Sequence, residues 1–366
     1  MRESAAERHE RLLELVRERG SARVSDLASQ LGVSPVTVRR DVEALAGQGR
    51  LDRVHGSVSW PERRTAGGPA TAGSPAGGGP VLGLLAPSAT YYFAEVIRGA
   101  HEAAALAGAR LILRISDYRP EDDRARTEGL LTAGAEGLLI APGWRGPGDA
   151  AEHGEWITEL PVPAVLLERR AVPGSALDGL DRVASDHRHG VVLAVRHLVN
   201  LGHGAPVLVA RADSPTALAV RSGYTEALGA LGLRAPREVI DSVPADQQPE
   251  EFEAAVRALH SAVASGKATA ALVHNDVDAI QMVQRLAELG VRVPQDLALI
   301  AYDDEVAALA DTPLTAVAPP KHEVGSQAAR LLVERLTGAK DADEPRRHLS
   351  LLPRLRVRAS CGAVER

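Results

Sequence analysis

The run Ser34-Pro-Val-Thr37-Val-Arg39-Arg40-Asp-Val42-Glu-Ala-Leu45 carries residue types that contact DNA. Ser34 suits a helix cap and Pro35 the first helical position, where the N–H it lacks would have no intrahelical partner. Val38, Val42 and Leu45 recur at helical spacing and form an inward stripe. Ser34, Thr37 and one or both of Arg39 and Arg40 stay on the outer face. Short polar groups and guanidinium forks there suit phosphates and base edges in the major groove. A solvated basic patch on an ordinary helical hairpin is the plainer reading of the same residues. Further on, Gly49-Arg-Leu-Asp-Arg53-Val-His55-Gly-Ser-Val-Ser alternates around a glycine and reads as a short hairpin, with Arg50 and Arg53 beside the helix.

A second set of polar residues follows short apolar runs. Ser88, Tyr92 and Phe93 follow residues 81–86, Trp144 follows 139–140 and Glu168 follows 165–167. Asn275 follows 271–273, Asp303 follows 299–300, and Arg221 starts a helix after 207–209. In open parallel sheets ligands sit beyond the carboxyl ends of the strands, which is where these residues fall. Only 3% of the chain is aromatic, yet Tyr91, Tyr92 and Phe93 are consecutive. Ring faces beside carboxylate and guanidinium groups suit a polyhydroxylated or planar small molecule. The competing readings are structural: an Arg221–Asp303 bridge across the cleft, Phe93 as core, Trp144 as rim packing, and Asp276 as a helix cap.

The elements that would position these residues are legible. Leu12, Leu13, Leu15 and Val16 stripe a first helix ending near Gly20, and Val24-Ser-Asp opens the next. Residues 61–80 contain six glycines and four prolines, a flexible linker of roughly 25 Å as a coil. From Val81 short apolar runs (81–86, 110–115, 137–141, 165–167, 207–209, 270–273, 297–301) mostly alternate with helical stretches such as 93–107 and 121–133. That alternation predicts parallel sheets covered on both faces. No Gly-x-Gly-x-x-Gly follows the first run, which weakens a dinucleotide reading.

Composition narrows the function. The 366 residues allow two or three domains, and 45% are hydrophobic, enough for a sizeable core. A net charge of −6, with ten arginines against nine carboxylates in residues 1–60, excludes a protein that coats nucleic acid through bulk charge. Local arrangement must supply any DNA affinity, which favours a dimer summing two half-sites. The single cysteine, Cys361, permits no disulfide within the chain and no cysteine zinc cluster. His187, His189, His197, His203 and His274 show no metal-ligand arrangement. No nucleophile–base pair or phosphate loop stands out, so no catalytic residue, cofactor or metal is expected. The charged start is not a signal peptide, and no apolar run reaches the ~20 residues of a membrane span. A cytoplasmic protein without membrane contact is expected.

Two resemblances follow from longer ordered matches. Residues 4–59 resemble the DeoR-type winged helix-turn-helix through Val24 to Ala28, Leu31-Gly-Val-Ser34, Thr37-Val-Arg-Arg-Asp-Val42, Leu45, Gly49 and Arg53-Val-His-Gly56. This implies that Ser34, Thr37, Arg39, Arg40, Arg53 and His55 face double-stranded operator DNA. Residues 81–360 resemble the sensor domain of LacI/GalR-type regulators, which share the fold of periplasmic sugar-binding proteins. The match runs through Tyr92-Phe-Ala-Glu95, Arg98-Gly99, Gly137 to Ile140, Gly190, Arg221-Ser-Gly-Tyr224, Asn275-Asp276, Leu289 to Pro294, Tyr302-Asp-Asp304, Pro313-Leu-Thr315, Gly325 and Arg356 to Ser360. It implies two α/β lobes joined by three crossovers around a ligand cleft, with Tyr92, Phe93, Arg221, Asn275, Asp303 and Glu168 toward the ligand.

The expected class is therefore α/β: a winged helix-turn-helix (1–60), a linker (61–80) and a two-lobed periplasmic-binding-protein-like domain with parallel sheets (81–366). The expected function is a homodimeric, effector-responsive transcriptional repressor with a sugar in the cleft. The alternative is a cytoplasmic small-molecule binding protein without effector-controlled DNA release. Two departures from the families stand out. DeoR-type winged helices usually precede an isomerase-like domain, and the linker is too rich in Gly and Pro for the hinge helix usual in LacI-type regulators.

Overall fold

The computed structural model describes the chain except residues 1–4, 20, 32, 34–36, 39–40, 43–44, 46–51, 55–56, 60–78, 213, 235–238, 339–343 and 364–366. The chain divides into two compact units, Met1–Gly73 and Ser74–Arg366.

In the first unit α1 (Ala5–Arg19) leads into β1 (Ser21–Arg23) and α2 (Val24–Leu31). Residues 37, 38, 41, 42 and 45 are helical. Leu12, Leu13, Val16, Leu27, Ala28, Leu31, Val38, Val42 and Leu45 pack into one core, so the inward stripe read from the spacing is buried. β2 (Asp52–Val54) pairs antiparallel with β3 (Ser57–Ser59), which is the hairpin expected from the alternation. β1 pairs with β3 as well and completes a three-stranded sheet that the sequence reading did not anticipate.

The second unit holds two six-stranded sheets among the described residues. The first lobe is built on β4 (Val81–Ala86), β5 (Arg110–Ile115), β6 (Gly137–Ile140), β7 (Ala164–Leu167) and β8 (Asp181–Ser185), with the late strand β14 (His348–Leu351) on its edge. Its order is β14-β8-β7-β6-β4-β5, every pair parallel. The second lobe contains β9 (Val207–Ala210), β10 (Ile240–Asp241), β11 (Ala270–His274), β12 (Ala298–Tyr302), β13 (Thr315–Ala318) and β15 (Arg354–Arg356). Its order is β10-β9-β11-β12-β13-β15, parallel except the β13–β15 edge. The central strands are buried on both faces, so they read as continuous apolar runs such as Leu82 to Ala86 and Ala270 to Val273, whereas the edge strands β5, β10, β14 and β15 are partly exposed.

Helices cover the sheets. In the first lobe α3 (Tyr92–Leu106) and α4 (Pro120–Thr132) follow β4 and β5, and α5 (Pro147–His153) follows β6. In the second lobe α6 (His187–Asn200) precedes β9 and α7 (Pro215–Ala230) follows it, with α8 (Pro249–Ala264) and α9 (Asp276–Glu288) flanking β11. The last helix, α10 (Lys321–Thr337), returns to the first lobe, where Val324, Ala328 and Leu332 join the core of Leu82, Leu84 and Val96. It packs backbone to backbone against α3. A Cβ on Gly99 would lie 1.9 Å from the His322 carbonyl oxygen, and one on Gly325 1.9 Å from that of Val96. Only glycine permits that approach.

The chain crosses between lobes after β8, after β13 and between β14 and β15. The three crossovers put the carboxyl ends of the strands of both sheets at one cleft.

Candidate functional site

The cleft holds a cavity of about 660 Å³. One wall comes from the first lobe, with Trp144, Glu168 to Pro173, Asp178, Arg182, Ala184 and Ser185; the other comes from α6 and α7, with Arg188, Thr216, Leu218 and Ser222. Glu168 and Arg169 directly follow β7 and Ser185 ends β8, whereas Asp178 precedes β8 and Arg182 lies at its start. A second cavity, of about 730 Å³, lies by the crossovers against Asp303, Glu305, Lys321, Arg354 and Arg356.

Glu168 is the centre of the first-lobe wall. It follows β7 at φ 51°, a left-handed conformation that costs a non-glycine residue and recurs at functional sites. Its Oε1 accepts the Tyr92 hydroxyl (2.7 Å) and the Ser185 hydroxyl (2.8 Å), and Oε2 accepts the Ser185 N–H (3.0 Å). His187 Nε2 stands 3.7 Å away. Burial works to raise the Glu168 carboxyl; the facing His187, the Ser185 N–H and the Tyr92 hydroxyl outweigh it and hold the group below the ordinary glutamate range.

Of the seven ligand candidates, Glu168 lines the first cavity and Asp303 the second. Tyr92 is buried and holds Glu168 from beneath. Phe93 is 3% exposed and packs edge-on against Tyr92 at 5.6 Å, a core position at a helix start. Ser88 bonds Thr90 within its own loop. Arg221 sits in the second turn of α7, donating to the Ala210 and Arg211 carbonyls and to Asp241 at 2.6 Å. The Arg221–Asp303 bridge weighed above does not form. Asn275 accepts the Asp278 N–H and caps α9. Asp276 accepts the N–H groups of Glu305, Val306 and Ala307, so it caps a 3-10 turn in place of its own helix.

Asp303 is 4% exposed and at φ 95°. Its Oδ2 accepts the Tyr91 hydroxyl at 3.3 Å, Oδ1 is buried without a partner, and its carbonyl accepts Lys321 Nζ. Burial pushes its carboxyl up, against the pull of Lys321 and His187. Tyr91 precedes α3 in the first lobe and also donates to Asp276 at 2.6 Å, so one hydroxyl ties the two lobes together.

Sequence reasoning missed Arg169, Ser185 and His187. Ser185 and His187 stand at the carboxyl end of β8, and the same strand-end rule would have found them had Asp181-Arg-Val-Ala-Ser185 been read as a strand. Its charged start concealed it. Arg169 directly follows Glu168, and nothing local distinguishes it from the exposed Arg170 beside it.

In the first unit Thr37 is helical and half-buried, and Arg53 lies in β2. Ser34, Arg39, Arg40 and His55 lie outside the described residues. The helix of Val38 and Val42 also carries Asp41, 6% exposed, which receives Arg8 Nε at 2.6 Å and Nη2 at 3.0 Å, with His9 at 3.0 Å. Burial opposes ionisation there, and Arg8 and His9 outweigh it, so the Asp41 carboxyl lies below its ordinary range. This pairing anchors the helix to α1.

Among the described residues no cluster of His, Cys, Asp or Glu is placed to hold a metal, and no helix is long and apolar enough to cross a membrane.

Comparison with known proteins decides the architecture. A DeoR-like helix-turn-helix domain model matches residues 8–64, and a periplasmic binding protein-like domain model matches residues 195–361. The chain joins a DeoR-like helix-turn-helix to a LacI-type sensor. It is similar to the HTH-type transcriptional repressor PurR of Vibrio atlanticus, 27% identical over 285 residues and covering 76% of this chain and 79% of that one. It is also similar to the arabinose metabolism transcriptional repressor of Geobacillus stearothermophilus, 24% identical over 317 residues, 85% of this chain and 83% of that one. Among solved structures, the transcriptional regulator CelR–cellobiose complex superposes with a TM-score of 0.60 at 26% identity, covering 90% of this chain and 91% of that one. These relatives are transcriptional regulators rather than enzymes.

Proposed function

We propose that this protein is an effector-responsive transcriptional repressor that binds operator DNA as a homodimer and takes a small molecule, a sugar, into the cleft. The observation that carries the reading is the cleft cavity of about 660 Å³, walled by both lobes, in a chain that also bears a DeoR-like helix-turn-helix. A cavity of that size suits a small metabolite. Named sugar-responsive or metabolic repressors among the relatives support it.

In this reading residues 1–60 bind DNA, 61–80 link, and 81–366 sense. Ser34, Thr37, Arg39, Arg40, Arg53 and His55 contact DNA, and Glu168 is the first of the ligand candidates. Tyr92 positions it. Action on an operator requires a cytoplasmic location. Because the Gly- and Pro-rich sequence of 61–80 disfavours a hinge helix, the signal in this reading runs through dimer geometry: lobe closure changes the spacing of the two winged helices. Effector must then bind the two states with different affinity.

The test is a deletion. Removing residues 1–60 abolishes operator binding and leaves effector-induced thermal stabilisation intact; effector at 100 times its Kd adds about 2.7 kcal/mol. Arg40→Ala in the full chain costs about 1–3 kcal/mol if Arg40 reads a base, and the loss is confined to particular operator variants. Tight effector binding with unchanged operator affinity refutes the coupling.

A further inference from the structure

Two residues that line the cavity each carry a side-chain nitrogen buried without a hydrogen-bond partner: Trp144 Nε1 and Arg169 Nη2. Both are N–H donors on groups that cannot accept. Trp144 is 2% exposed and Arg169 5%, so bulk water does not serve them. A buried donor left unmatched is costly, and a buried charge left unmatched more so.

Arg169 is fixed by carbonyls, and burial pushes it below the ordinary arginine range although the Glu168 and Asp123 carboxylates act on it from beyond ion-pair distance. Its Nε donates to the Pro142 carbonyl at 2.8 Å and Nη1 to the Glu168 carbonyl at 3.0 Å, and its guanidinium lies 5.8 Å from the centre of the Phe93 ring. These contacts orient the charge and leave one edge of the fork unmet. The adjacent Glu168 carboxylate is engaged by Tyr92 and Ser185. Among the described residues no carboxylate is within ion-pair distance of Arg169 or Arg170, whereas Arg188 has Glu226 at 2.8 Å and Arg182 has Asp178 at 3.8 Å. Arg170 and Arg182 flank the same cavity, and burial together with the Arg170 charge pushes Arg182 below the ordinary arginine range.

We propose that the effector is an anion: a sugar-sized molecule whose carboxylate or phosphate is bound by the Arg169 guanidinium, with Trp144 donating to a further oxygen. The assignment rests on the reading of this cavity as the effector site. A carboxylate or phosphate supplies the acceptors that both unmatched donors need. Arg170 and Arg182 raise the anion's local concentration at the cavity.

The experiment is calorimetric titration of the full chain with aldopentoses and aldohexoses, their sugar acids, their terminal phosphates, and inorganic phosphate alone. At least one acid or phosphate binds roughly tenfold or more tightly than its neutral parent, and its affinity falls with added salt. Which charged series binds separates carboxylate from phosphate recognition. Arg169→Met removes the preference and Arg169→Lys, which keeps the charge but not the fork, restores part of it. Arg170→Gln, at an exposed position that cannot upset folding, weakens the anion by roughly threefold through the lost field. A neutral sugar that binds as tightly as its charged counterpart overturns the assignment, as does the failure of every anionic probe to bind. Operator binding measured alongside separates the two readings. An anion that binds with preference yet leaves operator affinity unchanged refutes the regulator and keeps the anion site. A neutral sugar that alters operator affinity does the reverse.

Discussion

On the second-lobe side of the cleft, Arg211 and Asp278 form a two-pronged pair at 2.8 and 2.7 Å. Nearby, Arg221 is tied to Asp241, Asn275 caps α9, and Asp276 accepts three N–H groups of one turn. On the first-lobe side Arg169 has two carbonyl partners, no carboxylate and one unmet nitrogen, and the Trp144 N–H is unmet as well. These second-lobe groups are matched internally, although Asp303 Oδ1 is not, whereas the first lobe leaves two donors unmatched on residues that line the cavity. Polar residue type at a strand end therefore does not by itself mark a ligand contact. What marks one is a group that the fold positions and then leaves unsatisfied.

The contrast is sharpest in stability. Asp278→Ala removes the two-pronged carboxylate that holds Arg211 and lowers unfolding free energy by about 2–4 kcal/mol in denaturant titration. A loss below about 1 kcal/mol would remove the distinction between the walls.

Glu168→Gln comes next, at about 1.5–3 kcal/mol, because an amide sets a donor against the Tyr92 hydroxyl or the Ser185 N–H. That cost depends on pH. The folded-state pKa of Glu168 is depressed, so its contribution is present above the ordinary glutamate pKa and lost as pH falls through the folded value. Asp303 has the opposite sign. Its folded-state pKa is raised, so its contribution is present below the ordinary aspartate pKa and lost as pH rises through the folded value. Asp303→Asn therefore gains stability relative to the parent as the pH is raised, and Glu168→Gln loses it. Parallel acid titrations of the two variants check both signs.

Tyr91→Phe removes the hydroxyl that reaches Asp276 and Asp303 across the cleft, and costs about 0.5–1.5 kcal/mol. Small-angle scattering of the sensor unit then reports a more open pair of lobes. The smallest effect falls on Arg169→Met. Replacing a buried guanidinium that has no carboxylate at ion-pair distance by an apolar chain of similar length changes unfolding free energy by less than about 1 kcal/mol, or raises it. A loss as large as that at Asp278 would show that Arg169 is structural after all.

Much of the fold was legible because its signals are contiguous. The Val38, Val42, Leu45 stripe, the hairpin around Gly56 and the apolar runs at 81–86, 110–115 and 270–273 each lie within one element and match its period. The elements that escaped are those whose partners are remote. β1 is three residues that exist as a strand only against β3, and β14 and β15 are formed by returning to sheets laid down far earlier in the chain. Half-polar strands such as β8 carry no periodic signature strong enough to read alone.

For the site, the sequence by itself placed Glu168 on the cleft wall and Tyr91 to Phe93 at the start of α3, because strand ends can be found from apolar runs. Which polar groups are engaged and which are free was decided only by the tertiary structure. Arg211 meets Asp278 across 67 residues, Tyr91 meets Asp276 across 185, and Tyr92 meets Glu168 across 76. Hydrogen bonds saturate one donor at a time, and the chain's local pattern does not record which distant atom arrives first.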